Sequence, residues 1–208
     1  KFGNSKLSGS LAAYYVTLQD RISIVNSFVN GALEQVQRNE QNTSTVGVEA
    51  NWDYRLTSDF NLRGSLTYQA HEITKNTREN LIDGTVESVN EGNELARQPN
   101  LLAFVGLYYD NDAFDAFATV NHTGEKFASD TNNIVLAAIS IIRIGAGYTM
   151  KLNEKNETLR LGFSVFNLAD SQGVTEGNPR ALNQVDEEFF FGRPVLPRRV
   201  FFTGTLNF

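Results

Sequence analysis

Val46-Gly-Val-Glu-Ala-Asn-Trp-Asp-Tyr-Arg55 sorts its side chains by parity. Val46, Val48, Ala50, Trp52 and Tyr54 fall on one side of an extended chain, and Gly47, Glu49, Asn51, Asp53 and Arg55 fall on the other. Successive side chains of a strand point to opposite faces, so this stretch predicts a strand with one apolar and one polar face. Phe60-Asn-Leu-Arg-Gly-Ser-Leu-Thr-Tyr-Gln-Ala-His71 repeats the pattern. Phe60, Leu62, Leu66, Tyr68 and Ala70 lie opposite Asn61, Arg63, Ser65, Thr67, Gln69 and His71. A helix would gather its apolar residues at a spacing near 3.6, and that spacing is missing here.

Extending the period-2 reading in both directions predicts nine strands, at about 6–18, 21–30, 43–56, 60–71, 101–110, 114–124, 138–150, 158–168 and 198–208. Leu101 to Tyr109 is apolar in both registers. In 138–150 the alternation favours Ile142, Ile144, Ala146 and Tyr148 on the apolar face, which turns Arg143 to the other. The connections alternate short and long: about 2, 12, 3, 29, 3, 13, 7 and 29 residues. Pro99, Pro179, Pro194 and Pro197 all fall in the two longest, where no ladder hydrogen bond is lost.

A soluble sandwich has no reason to alternate its loop lengths. A transmembrane β-barrel has one, with short periplasmic turns at one end and long loops at the other. The mean hydropathy of −0.29 excludes a helical membrane protein, and the longest nearly apolar run, Ile134 to Ile142, is far short of the roughly 20 residues a spanning helix needs. It does not exclude a barrel, whose strands average an apolar face with a polar one. The 208 residues include no Cys, which removes disulfides, Cys-ligated metals and thiol chemistry. The net charge of −6 argues against nucleic acid as a partner. The fold class expected is therefore all-β, an antiparallel transmembrane barrel. Nine strands cannot close on themselves in lipid without leaving two bare edges, and single-chain barrels have even strand counts. The expectation is that upstream strands complete the wall, that the first strand descends, and that Lys1 lies near the outer face.

The last stretch, Arg198-Arg-Val-Phe-Phe-Thr-Gly-Thr-Leu-Asn-Phe208, ends on an aromatic residue that shares a face with Val200, Phe202 and Leu206. Phe208 resembles the terminal signal read by the barrel-assembly machinery.

Several segments together resemble the C-terminal barrel of a TonB-dependent outer-membrane receptor. They are Leu11-Ala-Ala-Tyr-Tyr-Val-Thr-Leu-Gln-Asp-Arg-Ile22, Val46-Gly-Val-Glu49, Ala96-Arg-Gln-Pro-Asn100, Val165-Phe-Asn-Leu-Ala-Asp170, Glu176-Gly-Asn-Pro-Arg180 and Gly192-Arg-Pro-Val-Leu-Pro-Arg-Arg199. Each is loose alone; their order and spacing are more specific. The resemblance implies that residues 1–208 are the C-terminal part of a barrel of about 22 strands. It also implies a plug domain and a TonB-contact segment outside this sequence, and energised import of a siderophore, glycan or peptide across the outer membrane. A passive porin or structural barrel is the alternative. Implied partners are outer-membrane lipid and lipopolysaccharide, the rest of the barrel and its plug, TonB through that plug, and a surface lipoprotein lid.

Candidate functional residues fall in two groups. Glu49, Asp53, Arg55, Arg63, Arg143 and Arg160 are predicted to face the lumen and to make polar contact with the plug, since an Arg or Lys on the lipid face would cost about 2–4 kcal/mol at mid-membrane. Asp186, Glu187 and Glu188, followed by Phe189, Phe190 and Phe191, lie in the second long loop and suit either ligand contact, through aromatic stacking, or plain packing among loops. Each long loop, 72–100 and 169–197, carries a net charge of −3. That charge could steer cations, or be no more than a solvated surface. Trp52, Tyr54, Tyr68 and Tyr148 are expected in the periplasmic aromatic girdle. No catalytic motif is present: the sequence has no Walker loop, no G-x-S-x-G and no H-E-x-x-H, and His71 and His122 are isolated. No enzyme activity, metal or cofactor is expected.

Overall fold

Alternation along each strand dictates the architecture. The computed structural model describes residues 2–29, 32–79, 86–152, 157–179 and 190–208. Its strands are β1 (Phe2–Gly3), β2 (Leu7–Val29), β3 (Ala32–Arg55), β4 (Phe60–Glu79), β5 (Val86–Ser88), β6 (Leu101–Asp110), β7 (Phe114–Thr123), β8 (Lys126–Phe127), β9 (Val135–Leu136), β10 (Ile139–Lys151), β11 (Thr158–Phe166), β12 (Val174–Pro179), β13 (Phe190–Pro194) and β14 (Arg199–Asn207). One antiparallel sheet runs in the order β1-β2-β3-β4-β6-β7-β10-β11-β14, with β5 alongside β4; β8-β9 and β12-β13 are separate two-stranded ribbons. Among the described residues there is no helix.

Cross-strand pairing carries each face around the whole sheet. One register row joins Leu7, Tyr54, Leu62, Leu107, Ala118, Ile144, Val165 and Val200. Another joins Phe60, Tyr109, Ala116, Ala146, Phe163 and Phe202. Both lie wholly on the apolar face. Leu101, Ala103, Val105, Leu107 and Tyr109 belong to this face, which settles the doubly apolar strand. Apart from Val165, which is buried, these side chains are exposed or half exposed in the isolated chain, Leu11 by 69% and Phe202 by 80%, as a lipid-facing wall requires. The row through Val200, at the top of its strand, passes through Leu107 near the bottom of β6. Rows therefore climb relative to the apolar band, which is the strand tilt and shear of a barrel wall. Above the band the same face turns polar at Thr17, Ser44 and Glu72 (rows paired through β2, β3 and β4), so the spanning part of β4 ends near Ala70.

The structure corrects several expectations, and Lys1 lies outside the described residues. Residues 6–18 and 21–30 are not two strands joined by a turn at Gln19-Asp20. They are the single strand β2, with a register irregularity between Leu18 and Ile22, and Asp20 takes a left-handed φ of 55°. The expected loop 31–42 is mostly the first half of β3, which pairs back along β2 from Val29↔Ala32 downward. The sheet path still contains nine strands, but β1 is a two-residue piece, and the first long strand begins at the short-turn end, where Leu7 pairs with Tyr54. The strict short-long alternation thus fails at the β2–β3 hairpin, and the first long strand ascends. Tyr68 is a further correction. It pairs with Val48 and Leu101, at the outer end of the apolar band, while Trp52, Tyr54 and Tyr148 lie toward the short-turn end as expected.

Buried apolar side chains are few. Among the described residues they are Ile73, Leu95, Ala128, Leu136 and Val165. The first four sit beyond the outer end of the band, where the long loops pack on each other.

Candidate functional site: the charged face and the outer loops

The face opposite the apolar one is polar because the residues of opposite parity are. One row joins Ser8, Asp53, Arg63, Gly106, Thr119, Arg143, Phe166 and Arg199. Glu49 and Arg55 share the face of this row through the parity of β3, and Arg160 shares it through Thr149. All six residues predicted to face the lumen therefore lie on one face. Asp53 and Arg63 pair across β3 and β4 at 2.9 Å, and the Arg63 guanidinium lies 5.2 Å from the Tyr108 ring centre. Arg143 lies 6.0 Å from the Phe166 ring centre. Arg160 grips Asp115 with two nitrogens: Nη2 donates to Oδ2 at 2.7 Å and to Oδ1 at 2.9 Å, and Nε donates to Oδ1 at 3.1 Å. Gly147 lies between them, and a Cβ there would collide with both side chains. An open groove of about 580 Å³ at the short-turn end is lined by Arg55, Arg63, Tyr108, Asp110, Asp115 and Phe117.

This face is not uniformly polar. Leu102, Phe104, Phe117, Phe166 and Phe201 share it, each paired in register with its residues. Rings interleaved with paired charges suit contact with folded protein better than contact with a water column.

The outer loops form two knots. In the first, residues 89–100 pack on 124–138. Ile73 is fully buried against this layer; its N–H donates to the Asn93 carbonyl and its carbonyl accepts from Gly92 N–H, both at 2.9 Å. Asp130 joins three segments. Its Oδ2 accepts from Gln41 Nε2 at 3.0 Å, its Oδ1 accepts from Ala96 N–H at 2.9 Å, and its carbonyl accepts from Asn93 Nδ2 at 2.9 Å. Asn132 mimics a strand partner for Glu94: Oδ1 accepts from Glu94 N–H at 2.7 Å and Nδ2 donates to the Glu94 carbonyl at 2.9 Å. Arg21 Nη1 donates to Gln41 Oε1 at 2.9 Å and ties in β2. His71, 8% exposed, lies just above the spanning part of β4 with Nδ1 3.0 Å from Thr45 Oγ1. Burial lowers the pKa of its imidazole, with Glu94 pulling weakly the other way.

The second knot closes the base of the last loop. Asn167, fully buried, donates from Nδ2 to the carbonyls of Ser171 and Leu196, each at 3.0 Å, and accepts from Ser171 N–H at 2.8 Å. Asp170 Oδ1 accepts from Arg198 N–H at 3.0 Å. Asn167 and Asp170 take left-handed φ values of 52° and 53°, which Asn and Asp tolerate better than most residues. Farther out, β12 pairs with β13, where Phe190 and Phe191 sit opposite Pro179 and Asn178. Asp186, Glu187, Glu188 and Phe189 lie outside the described residues. Sequence reasoning noticed Val165-Phe-Asn-Leu-Ala-Asp170 as a motif but not the clamp that Asn167 makes. It missed Gln41, Asp130 and Asn132 altogether, because no local signal names a partner 38 or 89 residues away.

The family model described as "TonB dependent receptor-like, beta-barrel" matches residues 1–168. Among solved structures, the chain resembles the ferric yersiniabactin uptake receptor FyuA from Yersinia pestis, at 15% identity and a TM-score of 0.74, over 100% of this chain and 28% of that one. It resembles the siderophore receptor PiuA from Acinetobacter baumannii at 15% identity and a TM-score of 0.73, over 98% of this chain and 26% of that one. The ferric citrate transporter FecA in its unliganded form matches at 14% identity and 0.72, over 97% and 29%. At these identities the likeness shows the fold, and the chain spans little more than a quarter of each of these proteins. The family consists of outer-membrane receptors and transporters, not enzymes. A continuous apolar wall, a charged inner face, long outer loops and the match over residues 1–168 place this chain in the TonB-dependent receptor-like β-barrel family of the bacterial outer membrane.

Proposed function

We propose that this chain supplies C-terminal staves and outer loops to a barrel that imports a nutrient across the outer membrane, driven by TonB acting on a plug encoded elsewhere in the full protein. The observation that carries this reading is the inner face. Paired Asp53–Arg63 and Asp115–Arg160, interleaved with Phe104, Phe117, Phe166 and Phe201, form a surface suited to a protein plug. Glu49, Arg55 and Arg143 complete it. A passive porin would expose these rings to water, so that reading is the weaker one. The last loop, with Asp186, Glu187, Glu188, Phe189, Phe190 and Phe191, is the proposed cargo contact, whether the cargo is a siderophore, glycan or peptide. Its charge and aromatic content equally suit a surface lipoprotein lid. Phe208 is the proposed assembly signal; Phe208→Ser would reduce the amount of folded barrel in the membrane without changing uptake per barrel.

The decisive experiment measures uptake of a panel of labelled ferric siderophores and glycans by cells expressing the full-length protein, with and without TonB. Uptake that needs TonB supports the reading. Uptake that persists without TonB would establish the passive alternative. Deleting 174–194 is expected to abolish uptake of whichever probe is carried; unchanged uptake would remove the last loop from the cargo site.

A further inference from the structure

The first knot has a feature that import alone does not require. Three outer segments, the part of the β2–β3 hairpin around Gln41 and Thr43, residues 89–100 and residues 124–138, share one small core and one hydrogen-bond network. Leu95, Ala128 and Leu136 are buried in it with Ile73. Gln41 and Thr43 are buried beneath it. Arg97 N–H donates to the Phe127 carbonyl at 2.7 Å, and Asn90, Arg97 and Asn132 hold left-handed φ values of 61°, 64° and 58°. Asn adopts such a φ readily; Arg does not, so Arg97 keeps it because surrounding contacts over-determine it. Separate, independently moving loops would have solvated surfaces between them. Here the surfaces between them are buried, and the carboxylate of Asp130 accepts from two segments at once while its own backbone belongs to a third.

We propose that these three segments are one rigid cap bolted by Asp130, which stays latched while cargo passes, so that the outer path opens elsewhere in the barrel mouth. Asp130 is the bolt because its removal leaves the Gln41 side chain and the Ala96 N–H without their acceptor at once, and buried polar groups without partners are costly. The Asn132–Glu94 pairing is the second fastening. It joins the same two loops that Asp130 joins, two residues further along the same turn. The proposal rests on the import reading for its statement about cargo, but the rigidity of the cap does not.

Two measurements on the full-length protein separate these parts. The first is hydrogen exchange in detergent. Asp130→Ala should reduce protection in 93–97 and in 126–136 by a common factor, about tenfold or more, while β6 and β7 below keep theirs. Loss confined to 126–136 would overturn the single-body cap whatever the protein transports. The second uses the absence of Cys from this chain. A Glu94→Cys, Asn132→Cys pair, oxidised, fixes the two loops together. In cells where the unmodified protein shows TonB-dependent uptake of a ferric siderophore or glycan, the oxidised variant should import it within about twofold of its reduced form. A tenfold loss restored by reduction would show that the latch must open, and would overturn the proposal. If the unmodified protein shows no such uptake, the import reading fails, and the exchange experiment alone decides the cap.

Discussion

The barrel wall and the cap above it are made from the same strands and held together by opposite means. In the wall, apolar side chains point out and stay exposed in the isolated chain; they are satisfied by lipid. In the cap, Ile73, Leu95, Ala128 and Leu136 point inward and are satisfied by each other. β4 crosses from one regime to the other within a single strand, between Ala70 and Ile73. The difference teaches that one strand can serve two solvents when the apolar parity switches sides at the membrane boundary: Leu66, Tyr68 and Ala70 face out, whereas Ile73 faces in. It also means that damage to the wall and damage to the cap should be separable.

The largest effect should come from breaking the wall. Val105→Arg puts a guanidinium at the middle of the apolar face of β6, at a cost of about 2–4 kcal/mol. The folded fraction of the full protein in lipid vesicles should fall steeply, as read by the heat-modifiable gel shift. Breaking the cap comes next. Leu136→Ala opens a hole in a small core, at about 2–3 kcal/mol, and should raise proteolysis of 89–100 and 124–138 while leaving the gel shift intact. A gel shift lost in both variants would mean that wall and cap are not separable. Asn167→Ala, at about 1–3 kcal/mol for the unpaired carbonyls and N–H, should free the last loop without loosening the cap; limited proteolysis with cleavage-site mapping checks this. Asp53→Asn should change stability by less than about 1 kcal/mol, because both partners of the pair are half exposed, and thermal melts in detergent would show it. The smallest effect belongs to pH. Because burial lowers the His71 pKa, the folded cap holds fewer protons than the unfolded one below the ordinary imidazole value of 6.5. Cap stability is therefore complete above that value and declines as pH falls through it toward the lower folded value. Hydrogen exchange of 93–97 at stepped pH should show the decline, and His71→Gln should flatten it.

The wall was legible in the sequence because alternation is a local signal. The faces of 46–55 and 60–71, the turn of Arg143 away from the apolar face and the common face of Arg63, Arg143 and Arg160 all follow from parity alone. The long β2–β3 hairpin was not legible for two reasons. Gln19-Asp20 has the composition of a turn, although Asp20 sits at a left-handed irregularity inside one strand. The other reason lies in the stretch after it: the polar residues of 34–43 show little apolar alternation, since that part of the hairpin stands above the membrane and has no lipid to face. The cap was illegible because its fastenings are long-range. Asp130 is unremarkable among polar neighbours until the fold brings Gln41 and Ala96 to it. Tyr68, by contrast, was legible: the strand 60–71 starts at a 3-residue connection and ends at a 29-residue one, which already puts Tyr68 beside the long loop.

Asn167 has one more consequence. By holding the carbonyls of Ser171 and Leu196 with a single amide, it fixes the two ends of the intervening segment side by side whatever lies between them. That makes the last loop an interchangeable insert. Its length and chemistry can be rewritten between two fixed posts while the strands on either side, β11 and β14, keep their register. A foreign segment grafted between 171 and 196 should therefore leave the β11–β14 pairing unchanged.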